Sequence, residues 1–299
     1  MTNNAGLIWL IGSKGMLGTE LSLLLEKSGI PFAGTDREVD ITVMSALTAA
    51  CEKLAGKQPV KWIINCAAYT AVDKAEDDAE TCRSLNEHGA ANIASVANNI
   101  EARLIHISTD YVFDGTASRP YREDDATAPT GVYGLTKRDG EIAVLKNNTR
   151  SYIIRTAWLY GKHGNNFVHT MLRLMNERSE IKVVNDQRGS PTWAFDLAFV
   201  ILTLIKKVDY GKNIPFGIYH FTNDGNITWF DFAKEIFRQG RKLGGIAKDC
   251  AVNPCTSAEY PAKVKRPAYS VLDKRKIKSA LGIKIPAWKK SLKEFLKKK

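Results

Sequence analysis

Cysteine is scarce in this chain: five residues among 299, at Cys51, Cys66, Cys82, Cys250 and Cys255. The number is odd, the spacings are scattered and no C-x-x-C occurs. Both a disulfide framework and a structural zinc site are therefore disfavoured. The five histidines (His88, His106, His163, His169, His220) form no H-x-x-x-H pair, so no metal site is expected. Long apolar runs are missing too. None approaches the ~20 residues that a bilayer-spanning helix needs, and no membrane partner is expected. The opening Met1-Thr2-Asn3-Asn4 carries no positive charge ahead of a short apolar run. That argues against a secretory leader and makes the cytoplasm the expected location. No internal repeat and no low-complexity linker is evident.

What the chain does have is an ordinary globular composition, 44% hydrophobic and 25% charged, with length enough for a large α/β core. It also carries a net charge of +11. A basic balance suits nucleic acid, and it equally suits a pocket for a pyrophosphate-bearing ligand. Much of the excess lies at the end, in Lys289-Lys290, Lys293 and Lys297-Lys298-Lys299. There Trp288, Leu292, Phe295 and Leu296 fall on one helical stripe. A packed terminal helix with a solvated lysine face is the preferred reading, and no nucleic-acid partner is expected.

Leu7-Ile8-Trp9-Leu10-Ile11 is an unbroken apolar run of the kind that forms a strand buried on both faces. Gly12-Ser13-Lys14-Gly15-Met16-Leu17-Gly18 follows, and leucines at 21, 24 and 25 then give a helical pattern. Strand, glycine turn and helix are the context that a phosphate-cradling loop requires. Glycines let the backbone approach a pyrophosphate, and the helix N-terminus offers free N–H groups at the positive end of its dipole. The spacing is G-x-x-G-x-x-G, and Gly12, Lys14, Gly15, Met16, Leu17 and Gly18 are candidate cofactor contacts. The next strand, Pro31–Thr35, ends at Asp36-Arg37. An acidic side chain about 20 residues past the glycines suits the adenine ribose hydroxyls. Arg37 or Lys14 suits a 2′-phosphate instead, so the choice between NADPH and NADH stays open. Asp40 is a further candidate, with an Asx turn as the competing reading. A third strand, Lys61–Ala67, ends in the small pair Ala67-Ala68, where a flat ligand can approach closely. Beyond Tyr69–Glu76 a long alanine-rich helix is expected to run to about Asn98. It carries Asn86, either as a helix-face residue or as a polar anchor for the site.

The chain centres on the stretch 105–137. His106-Ile107-Ser108-Thr109 reads as a strand that delivers a hydroxyl at its end. A turn-rich loop with Asp114-Gly115, Arg119-Pro120, Pro129 and Gly131 then leads to Tyr133-Gly134-Leu135-Thr136-Lys137. On a helix starting near Pro129–Tyr133, Tyr133 and Lys137 are i and i+4 neighbours. A phenol beside an ammonium, with a second hydroxyl at Thr109, is a proton-transfer device. The ammonium is expected to pull the phenol's pKa from about 10 towards neutrality, where it can protonate an oxyanion.

Downstream, Ser151–Trp158 reads as a strand, Phe167–Arg178 as a helix and Ile181–Val184 as a strand. Helix Phe195–Lys207 and strand Gly217–Phe221 look like returns to the main sheet, and an amphipathic helix and the basic end follow Thr228. Strands alternating with helices predict an α/β, Rossmann-like doubly wound parallel sheet with a smaller, interwoven C-terminal substrate domain. The expected division gives 1–158 and about 193–222 to dinucleotide binding. About 159–192 and 223–299 go to the substrate. Ligands in such a sheet lie at C-terminal strand ends, where Gly12, Asp36, Ala67, Thr109 and Trp158 all fall.

Together these stretches resemble the extended short-chain dehydrogenase/reductase family, and within it the dTDP-4-dehydrorhamnose reductases. The resemblance covers almost the whole chain. It is carried by Gly12-x-x-Gly15-x-x-Gly18, by Asn65-Cys66-Ala67-Ala68-Tyr69-Thr70-Ala71-Val72-Asp73-Lys74-Ala75-Glu76 and by Ser108-Thr109-Asp110-Tyr111-Val112-Phe113-Asp114-Gly115. Tyr133-x-x-x-Lys137, Asn185-Asp186-Gln187-x-Gly189-x-Pro191-Thr192 and Arg266-Pro267-Ala268-Tyr269-Ser270-Val271-Leu272-Asp273 continue it. It implies hydride transfer from NADPH or NADH to C4 of dTDP-4-dehydro-6-deoxy-L-mannose, yielding dTDP-L-rhamnose for cell-surface polysaccharide synthesis.

The same resemblance implies residue roles. Tyr133 is the proton donor, Lys137 tunes it and holds the nicotinamide ribose, and Thr109 hydrogen-bonds the C4 oxygen. Asp110 and Tyr111 help seat the substrate. Ala67, Ala68, Tyr69 and Thr70 line the cofactor, Thr70 and Val72 reach the sugar, and Trp158 walls its pocket. Arg266 lies near the nucleotide diphosphate, whose paired oxygens suit a guanidinium. Two positions depart from the family pattern. Tyr269 stands where asparagine is expected. Some members dimerise through magnesium held by glutamates; Glu20 matches one such position, but Phe195 falls near another. Magnesium is thus a secondary cofactor candidate, and a monomer or weak homodimer is expected. Other readings stay open: a C4 epimerase, a reductase of another nucleotide-linked 4-keto sugar, or a non-catalytic nucleotide-binding regulatory subunit. The related 4,6-dehydratases place an Asp-Glu pair after the strand-end threonine, whereas Asp110 is followed here by Tyr111.

Overall fold

A computed structural model describes residues 6–260 and 262–297; the opening Met1–Asn4 segment and the final Lys298-Lys299 lie outside the described residues. In chain order the first half holds β1 (Leu7–Ile11), α1 (Met16–Lys27), β2 (Phe32–Thr35), α2 (Met44–Ala55) and β3 (Val60–Asn65). It continues with α3 (Val72–Ala75), α4 (Ala79–Arg83), α5 (Gly89–Asn99), β4 (Arg103–Thr109), α6 (Val132–Asn147) and β5 (Ser151–Thr156). The second half holds β6 (Leu159–Tyr160), α7 (Phe167–Glu177), β7 (Glu180–Val184), β8 (Arg188–Gly189), β9 (Thr192–Trp193), α8 (Ala194–Asp209) and β10 (Gly217–His220). It ends with β11 (Ile227–Thr228), α9 (Trp229–Lys242), β12 (Ala251–Cys255), α10 (Arg275–Leu281) and α11 (Trp288–Lys297).

Six strands form one parallel sheet in the order β2-β1-β3-β4-β5-β10. All five residues of β1 are buried because helices cover both faces. Leu21 and Leu25 of α1, Leu197 and Ile201 of α8, and Ile277 of α10 pack on one side. Leu47 of α2, Ile93 of α5 and Val144 of α6 pack on the other. This is the doubly wound α/β fold that the alternating pattern predicts. The strand order reverses between β1 and β3, so the crossovers leave in opposite directions and a crevice opens at those two C-terminal ends.

The alanine-rich stretch is not one helix. It breaks into α3, α4, a π-helical turn at Ser84–His88 and α5. Alanine content reports helix propensity, but not the place where the backbone ladder changes register, and Asn86 sits in that turn. A second core gathers Val168 and Leu172 of α7, Ile181 and Val183 of β7, Phe232 and Ile236 of α9, and Leu292 and Phe295 of α11. In α11 the apolar stripe is buried while Lys289, Lys290, Lys293 and Lys297 stay exposed, as the packed-terminal-helix reading has it. Within the stretch 223–299 one helix sits apart from the second core. Ile277 and Leu281 of α10, with Ile285, pack into the main core beside α8. An apolar spacing fits either core, and only the sheet topology decides between them.

Candidate active site

The crevice begins at the glycine turn. Gly12 has a φ of 78°, a left-handed conformation that suits glycine, and a Cβ there would lie 2.7 Å from the Ala67 nitrogen. Gly15 caps α1 without any side-chain hydrogen bond, so the first-turn N–H groups are left for an anion. Gly18 serves packing instead: its Cβ would come within 2.1 Å of the Gly12 carbonyl oxygen. The turn opens on a cleft of about 870 Å³ lined by Gly12, Lys14, Asp36, Arg37 and Asp40 on one side and Ala67–Thr70 on the other. A backbone cradle that any Cβ would fill, beside a bare helix N-terminus, fits a dinucleotide pyrophosphate.

Two candidates are not walls of this cleft. The Leu17 side chain is buried in the main core, and Met16 lies against the loop Gly161–Gly164. Both side chains are turned aside by their places in the first turn of α1, leaving only backbone N–H groups for a ligand. Asp36 accepts the N–H of Lys14 at 2.9 Å and that of Arg37 at 3.0 Å, so it also holds the turn in shape. Lys14 Nζ meets Glu38 at 3.4 Å. Arg37 is exposed, and its guanidinium makes no ion pair among the described residues. Asp40 closes an Asx turn, accepting the N–H of Thr42 at 2.9 Å and its hydroxyl at 2.7 Å.

The second half of the site is where β4 meets α6. Thr109 ends β4; its hydroxyl donates to Asp110 at 3.1 Å and accepts the N–H of Tyr111 at 3.2 Å. The Tyr133 phenol also interacts with the Thr109 hydroxyl, and its ring meets Tyr111 edge-on at 5.5 Å and 73°. Close packing puts α6 there: a Cβ on Gly134 would lie 2.2 Å from the Tyr111 oxygen, and one on Gly140 would lie 2.1 Å from the Asn86 oxygen. Lys137 is buried, one turn on from Tyr133. Its Nζ donates to the Ile107 carbonyl at 2.7 Å and stands 3.4 Å from His106 Nε2.

The electrostatics correct one sequence expectation. Burial raises the Tyr133 pKa above the ordinary phenol value, with neighbouring Asp110 adding to the effect and the Thr109 hydrogen bond opposing it. The Lys137 ammonium does not pull the phenol towards neutrality, because it is turned onto β4. Burial instead lowers Lys137 itself to about 8. Burial also lifts Asp110 to about 6, against hydrogen bonds from Ser270 and Thr109.

Several anchors surround this pair. Asn86 is the polar anchor of the two readings: its Oδ1 accepts the Tyr69 N–H at 2.9 Å and its Nδ2 donates to the Tyr69 carbonyl and to Thr136, both at 3.2 Å. It thereby ties the cleft loop to α6. Glu76 and Asn65 stand in the sequence only as the two ends of a family marker, with no role of their own. Glu76 accepts the Val132 N–H at 2.8 Å at the start of α6. Asn65 Oδ1 accepts the Ala67 N–H at 3.0 Å; a polar residue closing an apolar strand was the signal available for it. At the far end Trp158 takes a φ of 47°, uncommon for a bulky residue. Its ring stacks on Trp229 at 3.6 Å and 12°, against Gly189, where a Cβ would strike it. Arg266 Nη1 donates to the Tyr111 hydroxyl at 3.0 Å and Nη2 pairs with Asp73, so a diphosphate there has to share this guanidinium. Thr70 is exposed on the cleft and Val72 opens α3 beside Asp73. Tyr269 packs near Tyr121. Among the described residues no three His, Cys, Asp or Glu side chains gather to hold a metal, and no helix is long and apolar enough to cross a membrane.

Comparison with known proteins bears on the whole chain. The family described as RmlD substrate binding domain matches residues 7–299. The chain is 43% identical over 289 residues to a dTDP-4-dehydrorhamnose reductase of Streptomyces griseus, covering 96% of this chain and 92% of that one. It is 41% identical over 289 residues to a Streptomyces antibioticus protein named as a probable dTDP-4,6-dihydroxy-2-methyloxan-3-one 4-ketoreductase, covering 96% and 93%. A solved dTDP-4-dehydrorhamnose reductase from Bacillus anthracis in complex with NADP superimposes with a TM-score of 0.89 at 35% identity, covering 98% of this chain and 99% of that one.

Proposed function

The chain belongs to the dTDP-4-dehydrorhamnose reductase family, and from that premise we propose that it reduces the C4 ketone of dTDP-4-dehydro-6-deoxy-L-mannose to dTDP-L-rhamnose with a nicotinamide cofactor. The observation that carries this reading is the seating of α6 on the end of β4, which sets the Tyr133 ring against Tyr111, two residues past Thr109, and Lys137 on the Ile107 carbonyl, on the same strand ends as the glycine cradle.

The bound cofactor supplies the hydride. The chain supplies the rest. Gly12, Gly15 and the start of α1 bind the pyrophosphate, Asp36 and Arg37 meet the adenosine end, and Ala67–Thr70 line the floor. Thr109 and Tyr133 donate hydrogen bonds to the C4 oxygen as negative charge grows on it. Tyr133 then gives up its proton. The raised phenol pKa suits that role: the group keeps its proton through neutral pH and yields it only to a stronger base such as an alkoxide. Lys137, lowered to about 8, is still protonated near neutrality and can restore the proton that Tyr133 has given. Trp158 offers a flat wall for the sugar, while Tyr111 and Arg266 stand at the nucleotide side.

The test is oxidation of NADPH and of NADH, followed by absorbance, against a panel of dTDP-linked 4-keto sugars. Fastest turnover with dTDP-4-dehydro-6-deoxy-L-mannose is expected. Failure to oxidise either cofactor with any sugar overturns the reading. The likeness to the Streptomyces antibioticus protein favours one second reading, a reductase of a different dTDP-linked 4-keto sugar, and the ranking within the panel separates the two.

A further inference from the structure

Behind Lys137 runs a chain of buried polar groups that the chemistry above leaves unused. Asn65 on β3 and His106 on β4 are register partners, and each is about 1% exposed. The Ala67 N–H donates to Asn65 Oδ1 at 3.0 Å. A backbone N–H only donates, so this contact fixes which way the Asn65 amide points. Its NH2 group then faces His106 Nδ1 at 3.0 Å, and Nδ1 must accept. Burial keeps the ring neutral, and a neutral imidazole with an accepting Nδ1 carries its proton on Nε2. That Nε2–H is the group 3.4 Å from Lys137 Nζ. An ammonium has three donors and no acceptor, whereas a neutral amine has a lone pair. The ring therefore offers a donor that only the neutral amine can accept.

We propose that Asn65 and His106 are positioning residues that orient the Lys137 amine and loosen its hold on a proton, making Lys137 a proton carrier for Tyr133 instead of a fixed cation. This deepens the reductase reading and rests on it.

The other groups facing Lys137 do not decide its state. Glu141 on α6, Cys66 beyond β3 and Cys82 on α4 each favour the ammonium. Yet Glu141 is committed to Arg155 through two bonds of 2.9 and 2.7 Å. Burial pushes the Cys66 thiol up to about 12 and raises Cys82 as well, so both are neutral. Tyr133 keeps its proton, Asp110 is bonded to Thr109, and α5 carries no acidic or basic side chain in its sequence GAANIASVANN.

The experiment combines the full chain, Asn65→Asp and His106→Gln. In Asn65→Asp a carboxylate accepts both the Ala67 N–H and an Nδ1–H, which moves the ring proton and turns Nε2 into an acceptor for the ammonium. In His106→Gln an amide can accept from Asn65 and donate to Lys137, preserving the original sense. Long-range proton–nitrogen spectra should place the His106 proton on Nε2 in the wild type and on Nδ1 in Asn65→Asp. The alkaline limb of the pH profile for ketone reduction should move up by roughly one pH unit or more in Asn65→Asp and stay near its wild-type position in His106→Gln. A limb that stays put or moves down in Asn65→Asp overturns the proposal. So does a wild-type proton on Nδ1, or a uniform loss of kcat at every pH in both variants. If the wild type reduces no ketone at all, the reductase reading falls by itself, and the spectra alone then decide the Asn65–His106 orientation.

Discussion

Partial burial raises the half-buried Tyr133 phenol above its ordinary value, so it keeps its proton, and a protonated phenol is the state a donor requires. Replacing it with phenylalanine removes the donor while leaving ring and cleft intact. Tyr133→Phe should lower kcat by about 10²–10⁴-fold, with NADPH affinity, read by fluorescence titration, nearly unchanged; unchanged turnover would reject the assignment. The proposed role of Lys137 predicts a pH dependence. It is protonated below its lowered pKa of about 8 and loses its proton as pH rises through that value. Reductive kcat should therefore be level through neutrality and fall above about pH 8; a profile still level well beyond that would contradict the role. Arg37 makes no ion pair among the described residues, so Arg37→Ala should raise KM for NADPH more than for NADH, and equal effects would remove its 2′-phosphate role. The glycines, Thr109 and the Tyr133–Lys137 pair were legible because each announces itself through local spacing. The direction in which Lys137 points was not. Spacing on a helix says which residues are neighbours, but not that a strand carbonyl 30 positions away offers the ammonium a better partner than the phenol does.

At the scale of elements, α6 is placed by what it lacks. Gly134 and Gly140 let it lie directly on the Tyr111 and Asn86 carbonyls, bringing Tyr133 and Lys137 onto the end of β4. Gly140→Ala gains up to ~1 kcal/mol of helix propensity but drives a methyl to 2.1 Å from a backbone oxygen. Overpacking of that kind costs about 1–3 kcal/mol, so a net fall in melting temperature is expected. Because Asn86 also carries the Tyr69 loop, KM for the cofactor should rise with it. A variant as stable as the wild type would show that the close approach is relaxed without cost. Strand and helix spans were readable from period and turn chemistry, and α6, α8 and β10 lie close to where the pattern put them. The π turn was not readable: Asn86 within it bonds Tyr69, 17 residues away, and nothing local marks it.

At the scale of the whole molecule, a buried pair that no local pattern reveals ties the central sheet to a covering helix. Arg155 of β5 and Glu141 of α6 are each only 3% exposed at the side chain, and the guanidinium also lies 4.9 Å from the Phe113 ring. Removing one partner strands a buried charge. Arg155→Met should cost about 3–5 kcal/mol in urea unfolding, and Arg155→Met with Glu141→Leu should recover much of it; additive losses in the double variant would show that packing, not charge, dominates. The doubly wound sheet was legible at this scale because buried strands read as apolar runs between helical periods. The placement of α10 was not, because Ile277 and Leu281 suit either core. The stacked indoles of Trp158 and Trp229 have an optical consequence. Two such chromophores held face to face couple their transitions, and the resulting near-ultraviolet circular dichroism depends on their mutual angle. On the proposed role of Trp158 as a wall of the sugar pocket, docking of a nucleotide sugar should change that signal, so occupancy can be followed spectroscopically even in Tyr133→Phe, where little turnover is expected.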